Sequence, residues 1–134
     1  MPFHLGSNSK AFTSAIAFKC IDSGYFTLQT KFVDVFPELK DSMLEVYRFI
    51  TISDLLSHQA RVRAYTSGSE FINLPAFNGS VSDKRCSFAK FVLKQSPVKS
   101  GTYSNANLCS DGSEFLKKLQ ANRTSNFYFN SVNP

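Results

Sequence analysis

The stretch VFPELKDSMLEVYRFITI, residues 35–52, combines a helical pattern with an extended one, and the prediction of the fold depends on it. Pro37 suits the first position of a helix, because proline needs no amide partner there. Leu39, Met43 and Tyr47 recur at helical spacing. From Tyr47 onward the residues are mostly aromatic and β-branched, which is typical of a strand. The stretch therefore predicts a short helix beginning near Pro37 and a strand beginning near Tyr47.

Alternation of apolar and polar residues predicts further strands on both sides of this stretch. Residues 11–21 and 25–36 alternate around a turn at residues 22–24. Residues 60–65 alternate strictly, and residues 84–95 form another long apolar and basic run. This parity predicts that the following side chains lie in the core: Phe18, Phe32, Ile50 and Val62. A second helix is predicted to begin near Asp111, and a final strand to cover residues 126–132.

Composition agrees with strands, since the chain has 14 Phe, five Tyr and no Trp. A length of 134 residues fits one domain. The sequence therefore predicts an all-β fold, an antiparallel β-sandwich of jelly-roll or Greek-key type with one or two short helices. Residues 1–134 are expected to form this single domain, with residues 1–10 as an irregular N-terminal arm. No segment resembles a transmembrane span or a secretory signal, so no membrane contact is expected.

Positive charge is concentrated in the second part of the chain. The net charge of the chain is +5. Residues 59–134 have a net charge of +6, whereas residues 1–58 have a net charge of −1. Clustered cations next to an aromatic side chain are suited to contact phosphate and base together. The predicted nucleic-acid-binding residues are Arg61, Arg63, Tyr65, Lys84, Arg85, Lys90 and Lys94. The alternative is that these residues only make the outer face of a sheet soluble.

Other site chemistry has weaker support. The sequence contains no zinc-type cysteine spacing, P-loop or dinucleotide fingerprint, so no cofactor and no metal are predicted. Asp34, Glu38 and Asp41 have hard oxygen ligands for calcium, although such acids more often lie in a solvated helix start. A nucleophilic Cys86 paired with His58 is a further alternative to the interpretation of the cysteines as buried packing residues.

The segment VDVFPELKDSMLEVYRFITISDL, residues 33–55, resembles the connection between the third and fourth strands in jelly-roll coat proteins of small icosahedral RNA viruses and satellite viruses. The residues that carry this resemblance are Phe36, Pro37, Leu39, Tyr47, Arg48, Phe49 and Ile52. The chain departs from those proteins because it lacks an N-terminal arm rich in Arg and Lys.

The resemblance implies a non-enzymatic structural protein that assembles with copies of itself into a shell around RNA. It also implies location in a virion that is assembled in the host cytoplasm. Two other functions stay open: a non-catalytic β-sandwich module that binds a glycan, a host protein or single-stranded nucleic acid, and a small hydrolase with a cysteine nucleophile.

Overall fold

The computed structural model describes residues 6–66 and 69–106, and throughout these ranges the regular structure is helical. The α-helices are α1 (Ser9–Asp22), α2 (Phe32–Val35), α3 (Ile52–Leu56), α4 (Ser69–Ile72) and α5 (Val81–Val92). Three 3₁₀ helices cover Gly6–Asn8, Pro37–Ser42 and Glu45–Phe49. The described ranges contain one isolated antiparallel bridge, between Lys31 and Thr51, and no sheet. The predicted all-β sandwich is therefore wrong.

Helix α1 occupies the segment that alternation assigned to the first strand. Its buried residues Ala17 and Cys20 are three positions apart, which places them on one helical face. Phe18, predicted to be in the core, is 49% exposed on another face. The prediction failed because α1 has apolar residues on both faces, so its sequence is compatible with a period of two as well as with a helix.

The stretch at residues 35–52 is helical on both sides of Tyr47. The helix predicted near Pro37 is confirmed as the 3₁₀ helix Pro37–Ser42, but the predicted strand is replaced by Glu45–Phe49 and α3. Helix α3 starts at a capping box, in which the Asp54 amide donates to Thr51 Oγ1 at 3.1 Å and the Thr51 amide donates to Asp54 Oδ2 at 2.8 Å. These bonds satisfy amides at the helix start, so they favour helix over strand at this point.

The predicted strand at residues 84–95 forms most of α5. This helix also begins at a capping box, between Ser80 and Asp83. Val92 and the following Leu93 are buried at its C-terminal end. Ser-x-x-Asp at residues 80–83 is a local pattern for a helix start, and the prediction of a strand at residues 84–95 did not include it.

The core lies among α1, the helices of residues 32–56 and α5. Its buried residues are Cys20, Phe26, Phe32, Phe36, Leu39, Met43, Tyr47, Ile50, Ile52, Leu55, Ala60, Val62, Tyr65, Val92 and Leu93. The predicted burial of Phe32, Ile50 and Val62 is confirmed. Tyr47 is 1% exposed, and its hydroxyl donates to the Gln95 carbonyl at 3.0 Å, so the end of α5 is joined to the segment that precedes α3.

The chain termini bear on three further predictions. Residues 6–10, expected to be irregular, are helical: they form the 3₁₀ helix Gly6–Asn8 and the start of α1. The predicted helix near Asp111 and the predicted strand at residues 126–132 lie outside the described residues. The assignment of the whole chain to one domain stays a prediction. Among the helices of the described ranges, none has the length and apolarity needed to cross a membrane.

Candidate active site

Ser7 and Lys10 lie next to each other at the start of α1. The backbone is already helical from Gly6, because the 3₁₀ helix Gly6–Asn8 leads directly into α1. Residues three positions apart are neighbours on a helical surface. Ser7 is exposed and Lys10 is half-buried. A hydroxyl that can act as a nucleophile therefore lies beside a cation at the surface.

Tyr103 and Asn105 approach this pair from a segment that is more than 90 residues away in the chain. The Tyr103 hydroxyl donates to Ser7 Oγ at 3.0 Å. Lys10 Nζ donates to Asn105 Oδ1 at 2.9 Å and lies 5.2 Å from the centroid of the Tyr103 ring. We call Ser7, Lys10, Tyr103 and Asn105 the Ser7 cluster.

The segment that carries Tyr103 is fixed by hydrogen bonds to residues 58–65. Ser104 is fully buried, and its hydroxyl donates to the Arg63 carbonyl and accepts from the Ala106 amide. The Val98 amide donates to the Arg61 carbonyl at 2.8 Å. Because these bonds lie on either side of Tyr103, they restrict where its ring can lie relative to α1.

Asn105 is held in the orientation that Lys10 needs. Its backbone amide donates to the Ala64 carbonyl at 2.9 Å, and its side-chain Nδ2 donates to the Tyr65 carbonyl at 2.8 Å. A side-chain amide has one donor end and one acceptor end. Because the Tyr65 carbonyl takes the donor end, Oδ1 is directed to Lys10 and accepts its hydrogen bond.

The electrostatics of the cluster lower the pKa of Tyr103 below its ordinary value. Its hydrogen bond with Ser7 lowers the pKa of the Tyr103 phenol, and so do a hydrogen bond from Lys10 and the positive charge of Lys10; the slight desolvation acts in the opposite direction. A phenolate beside Ser7 Oγ can accept the proton of the serine hydroxyl, which is the role of a general base. The arrangement can therefore activate Ser7 as a nucleophile.

Replacing Lys10 by methionine tests these electrostatics without any substrate. The pKa of Tyr103 is expected to rise, because the phenolate loses a hydrogen bond and a neighbouring cation. The pKa of His58 is also expected to rise, since the charge of Lys10 contributes to lowering it. Both values can be measured by NMR titration of the labelled side chains. Lys19→Met is the matched control, because Lys19 is exposed on the same helix. A Tyr103 pKa that stays unchanged in Lys10→Met would contradict the proposed geometry.

The residues predicted to bind nucleic acid do not share one strand face. Tyr65 is 4% exposed and packs edge-on against Phe88 and Phe91, with ring centroids 5.4 and 6.4 Å away. Arg61 is exposed and its Nε donates to the Val98 carbonyl, whereas Arg63 is half-buried. The remaining residues are on α5 or directly after it: Lys84, Arg85, Lys90 and Lys94. Contact of these residues with RNA has not been tested and stays a prediction.

The alternative calcium site does not assemble in the described part of the chain. Within residues 6–66 and 69–106, no group of three His, Cys, Asp or Glu side chains is placed to hold a metal ion, so Asp34, Glu38 and Asp41 do not form a calcium site there. Cys86 is half-buried on α5, where it packs against the core. Of the two described cysteines, Cys20 is the more buried, and burial raises the pKa of its thiol.

None of the four residues of the Ser7 cluster is among the site residues predicted from the sequence. One signal for them was present: Ser7-Asn8-Ser9-Lys10 has the S-x-x-K spacing that marks the serine nucleophile of class A β-lactamases and penicillin-binding proteins. It was overlooked because residues 1–10 were interpreted as an irregular arm. Tyr103 and Asn105 join the cluster only through the folded chain, which brings their segment to the start of α1.

Comparison with known proteins agrees with the geometry of the cluster. Residues 1–108 match the family model described as Beta-lactamase. A curated protein, penicillin-binding protein 4 of Amycolatopsis lactamdurans, is 35% identical over 60 residues, which are 45% of this chain and 16% of that protein. The alignment thus spans less than a fifth of the length of that relative. No solved structure matches the chain.

These matches overturn the functional predictions made from the coat-protein resemblance. The family match contradicts the assignment to viral coat proteins, the function as a shell around RNA, the expectation of a non-enzymatic protein and the location in a virion. The alternative β-sandwich binding module is also unsupported, and there is no sandwich to form it. Association with further copies of the chain is not tested by the matches.

Proposed function

The chain belongs to the beta-lactamase family, and from this premise we propose that it is a serine acyl-transfer enzyme in which Ser7 forms a covalent acyl intermediate. The observation that carries the proposal is the hydrogen bond of 3.0 Å between the Tyr103 hydroxyl and Ser7 Oγ. A nucleophile within hydrogen-bond reach of its base, with a third group that orients the base, is the arrangement that covalent catalysis requires.

Acylation begins with attack of Ser7 Oγ on the carbonyl carbon of an amide or ester. The Ser7 proton passes to the Tyr103 phenolate as the oxygen–carbon bond forms. The bond from the carbonyl carbon to the leaving nitrogen or oxygen then breaks, and the leaving group takes the proton from Tyr103. The products are acylated Ser7, a free amine or alcohol, and Tyr103 again as the phenolate.

Deacylation repeats these proton transfers with water. The Tyr103 phenolate takes one proton from the water while the water oxygen attacks the acyl carbon. Ser7 Oγ then leaves and takes that proton back from Tyr103, which releases the carboxylic acid. If an amine or alcohol replaces water, the same steps transfer the acyl group to it. The residues of the Ser7 cluster thus support both hydrolysis and acyl transfer.

Lys10 and Asn105 prepare the base for these steps. Lys10 stabilises the phenolate of Tyr103 relative to the phenol, through its positive charge and through a hydrogen bond to the hydroxyl. Its Nζ atom lies near the Tyr103 ring. The hydrogen bond of 2.9 Å to Asn105 holds the ammonium group at this place. A charge positioned before the reaction costs no reorganisation when the proton moves.

The name of the relative and the chemistry of the nucleophile support one class of substrate. Penicillin-binding protein 4 is named for binding penicillin. In a β-lactam the amide bond lies in a strained ring, and opening this ring by a serine leaves the acyl group attached to the protein. We therefore include a β-lactam among the acyl donors to be tested, beside simple activated esters.

Covalent labelling of the purified chain tests the proposed function. A fluorophosphonate reacts with an activated serine by forming a phosphorus–oxygen bond and releasing fluoride. We expect a single adduct, and peptide mapping by mass spectrometry should locate it on Ser7. A fluorescent penicillin, used in parallel, should form an adduct on the same residue if β-lactams are acyl donors. An intact helical protein that takes up no fluorophosphonate, or takes it up at another serine, would contradict the proposal.

A further inference from the structure

His58 occupies a backbone position that glycine normally takes. Helix α3 ends in a Schellman motif, in which the Gln59 amide donates to the Asp54 carbonyl at 2.7 Å and the His58 amide donates to the Leu55 carbonyl at 3.4 Å. The residue after such a helix end adopts a left-handed conformation and is usually Gly, sometimes Asn. His58 has a φ of 58°. A residue with a side chain is strained in this conformation, and such strain is frequent at functional sites.

The left-handed turn places the imidazole against the segment that carries Tyr103. The centroids of the His58 and Tyr103 rings are 4.7 Å apart, with an angle of 38° between the ring planes. His58 Nδ1 accepts a long hydrogen bond of 3.4 Å from the Ser104 amide. The same imidazole thus contacts the ring of Tyr103 and the backbone of the next residue.

This hydrogen bond exists only when His58 is neutral. An imidazole nitrogen that accepts a hydrogen bond carries no proton, so the ring proton is on Nε2, whereas an imidazolium has two donors and no acceptor. Among the described residues, the charge of Lys10 on α1 acts on the ring, and the titratable Tyr103 of the neighbouring segment contacts it. Partial burial lowers the pKa of His58 below its usual 6.5, and the charge of Lys10 lowers it further. The neutral ring therefore predominates near pH 7.

We propose that His58 is a positioning residue of the Ser7 cluster, in which the neutral imidazole holds the Tyr103 ring and the Ser104 amide so that the Tyr103 hydroxyl reaches Ser7. This inference rests on the proposed function, because it assigns to Tyr103 the role of the base. Protonation of His58 removes the acceptor and adds a cation beside Lys10. Acylation of Ser7 therefore has an acidic limit that is set by His58 in addition to the ionisation of Tyr103.

Two substitutions distinguish the contribution of the hydrogen-bond acceptor of His58 from the contribution of its aromatic ring. His58→Asn keeps a hydrogen-bond acceptor, because Asn Oδ1 is bonded to Cγ as Nδ1 is in histidine. Asn also tolerates a positive φ. His58→Phe keeps an aromatic ring but has no acceptor. Near pH 8, we expect His58→Asn to acylate within about threefold of the wild-type rate and His58→Phe to be at least about tenfold slower, because small misplacements of a catalytic group are costly. The rates are measured as the release of p-nitrophenolate from p-nitrophenyl acetate during acylation.

The dependence of these rates on pH distinguishes positioning from general support of the fold. Each rate is first divided by the fraction of Tyr103 that is ionised, measured by NMR in the same protein, and the His58→Asn rate is then compared with the wild-type rate as a ratio. This ratio should stay constant above pH 6.5 and rise by about threefold or more below it, because Asn has no proton to gain. A ratio that stays constant throughout, or a His58→Phe variant that is folded and acylates at the wild-type rate, would overturn the inference. If His58→Phe does not fold, the pH dependence of the ratio for His58→Asn still tests the positioning role of His58.

An NMR titration separates failure of this inference from failure of the proposed function. In the wild-type chain the Ser104 amide resonance should shift with the same midpoint as the His58 ring resonances. If this shift occurs but Ser7 is never acylated, the proposed function is wrong and the contact of His58 with the Tyr103 segment stands. If Ser7 is acylated but the Ser104 amide does not respond to the His58 ionisation, the inference is wrong and the proposed function stands.

Discussion

Replacing Ser7 by alanine is expected to lower the rate of acylation by on the order of 10⁴-fold or more, because removal of a serine nucleophile leaves only the background reaction with water or other groups. In the structure Ser7 Oγ is the hydroxyl that contacts Tyr103, so the substitution removes the atom that would carry the acyl group. The measurement is the initial release of p-nitrophenolate, together with the mass of the intact protein, which should show no acyl adduct.

Ser9→Ala is the control for this result. Ser9 is two residues from Ser7 within the same S-x-x-K stretch, and the pattern requires only the first and last of its four residues. The control should acylate at close to the wild-type rate. If Ser9→Ala abolishes acylation and Ser7→Ala does not, the nucleophile has been assigned to the wrong serine.

Replacing Tyr103 by phenylalanine is expected to lower the acylation rate by about 10²–10⁴-fold, the usual contribution of a general base. The substitution removes only the hydroxyl. The ring stays available for its contacts with His58 and Lys10, whose distances are 4.7 and 5.2 Å. The loss should therefore appear in the rate of acylation and not in the thermal stability of the chain.

The pH dependence of the acylation rate tests this second prediction independently. Because its hydrogen bond with Ser7 and the hydrogen bond and charge of Lys10 lower the pKa of Tyr103, the midpoint of the alkaline rise in the wild-type rate should lie below the usual tyrosine pKa of 10. The Tyr103→Phe variant should lack that ionisation. Tyr25→Phe is the control, since Tyr25 is a similarly exposed tyrosine that is 41% exposed. Unchanged acylation by Tyr103→Phe would show that another group, with Lys10 as the first candidate, takes the proton from Ser7.

The strand prediction failed for a reason that is visible in particular residues. In α1, apolar residues lie on both faces of the helix. Every second residue is therefore apolar over part of the segment, which resembles one face of a strand and includes the exposed Phe18. At residues 60–65 the alternation did predict the burial of Val62, but Tyr65, on the opposite parity, is buried as well. Periodicity alone does not distinguish a helix from a strand where apolar residues occur on every side.

Interactions between residues close together in the chain were accessible from the sequence. The capping pairs Thr51–Asp54 and Ser80–Asp83 each close within three residues, and the start of a helix at Pro37 depends on the geometry of one ring. The pairing of Ser7 with Lys10 is likewise a matter of helical spacing. Each of these features requires no information about the rest of the molecule, because the atoms that interact are brought together by one helical turn.

The active arrangement of the site required the folded chain. Tyr103 and Asn105 reach Ser7 and Lys10 across 96 and 95 positions in the sequence. Their placement depends on the hydrogen bonds of Ser104 and Asn105 to residues 58–65, and on the left-handed turn at His58 that ends α3. Such contacts form only when the burial of the core offsets the entropy of closing long loops, and no local pattern of residues records which distant segments will meet.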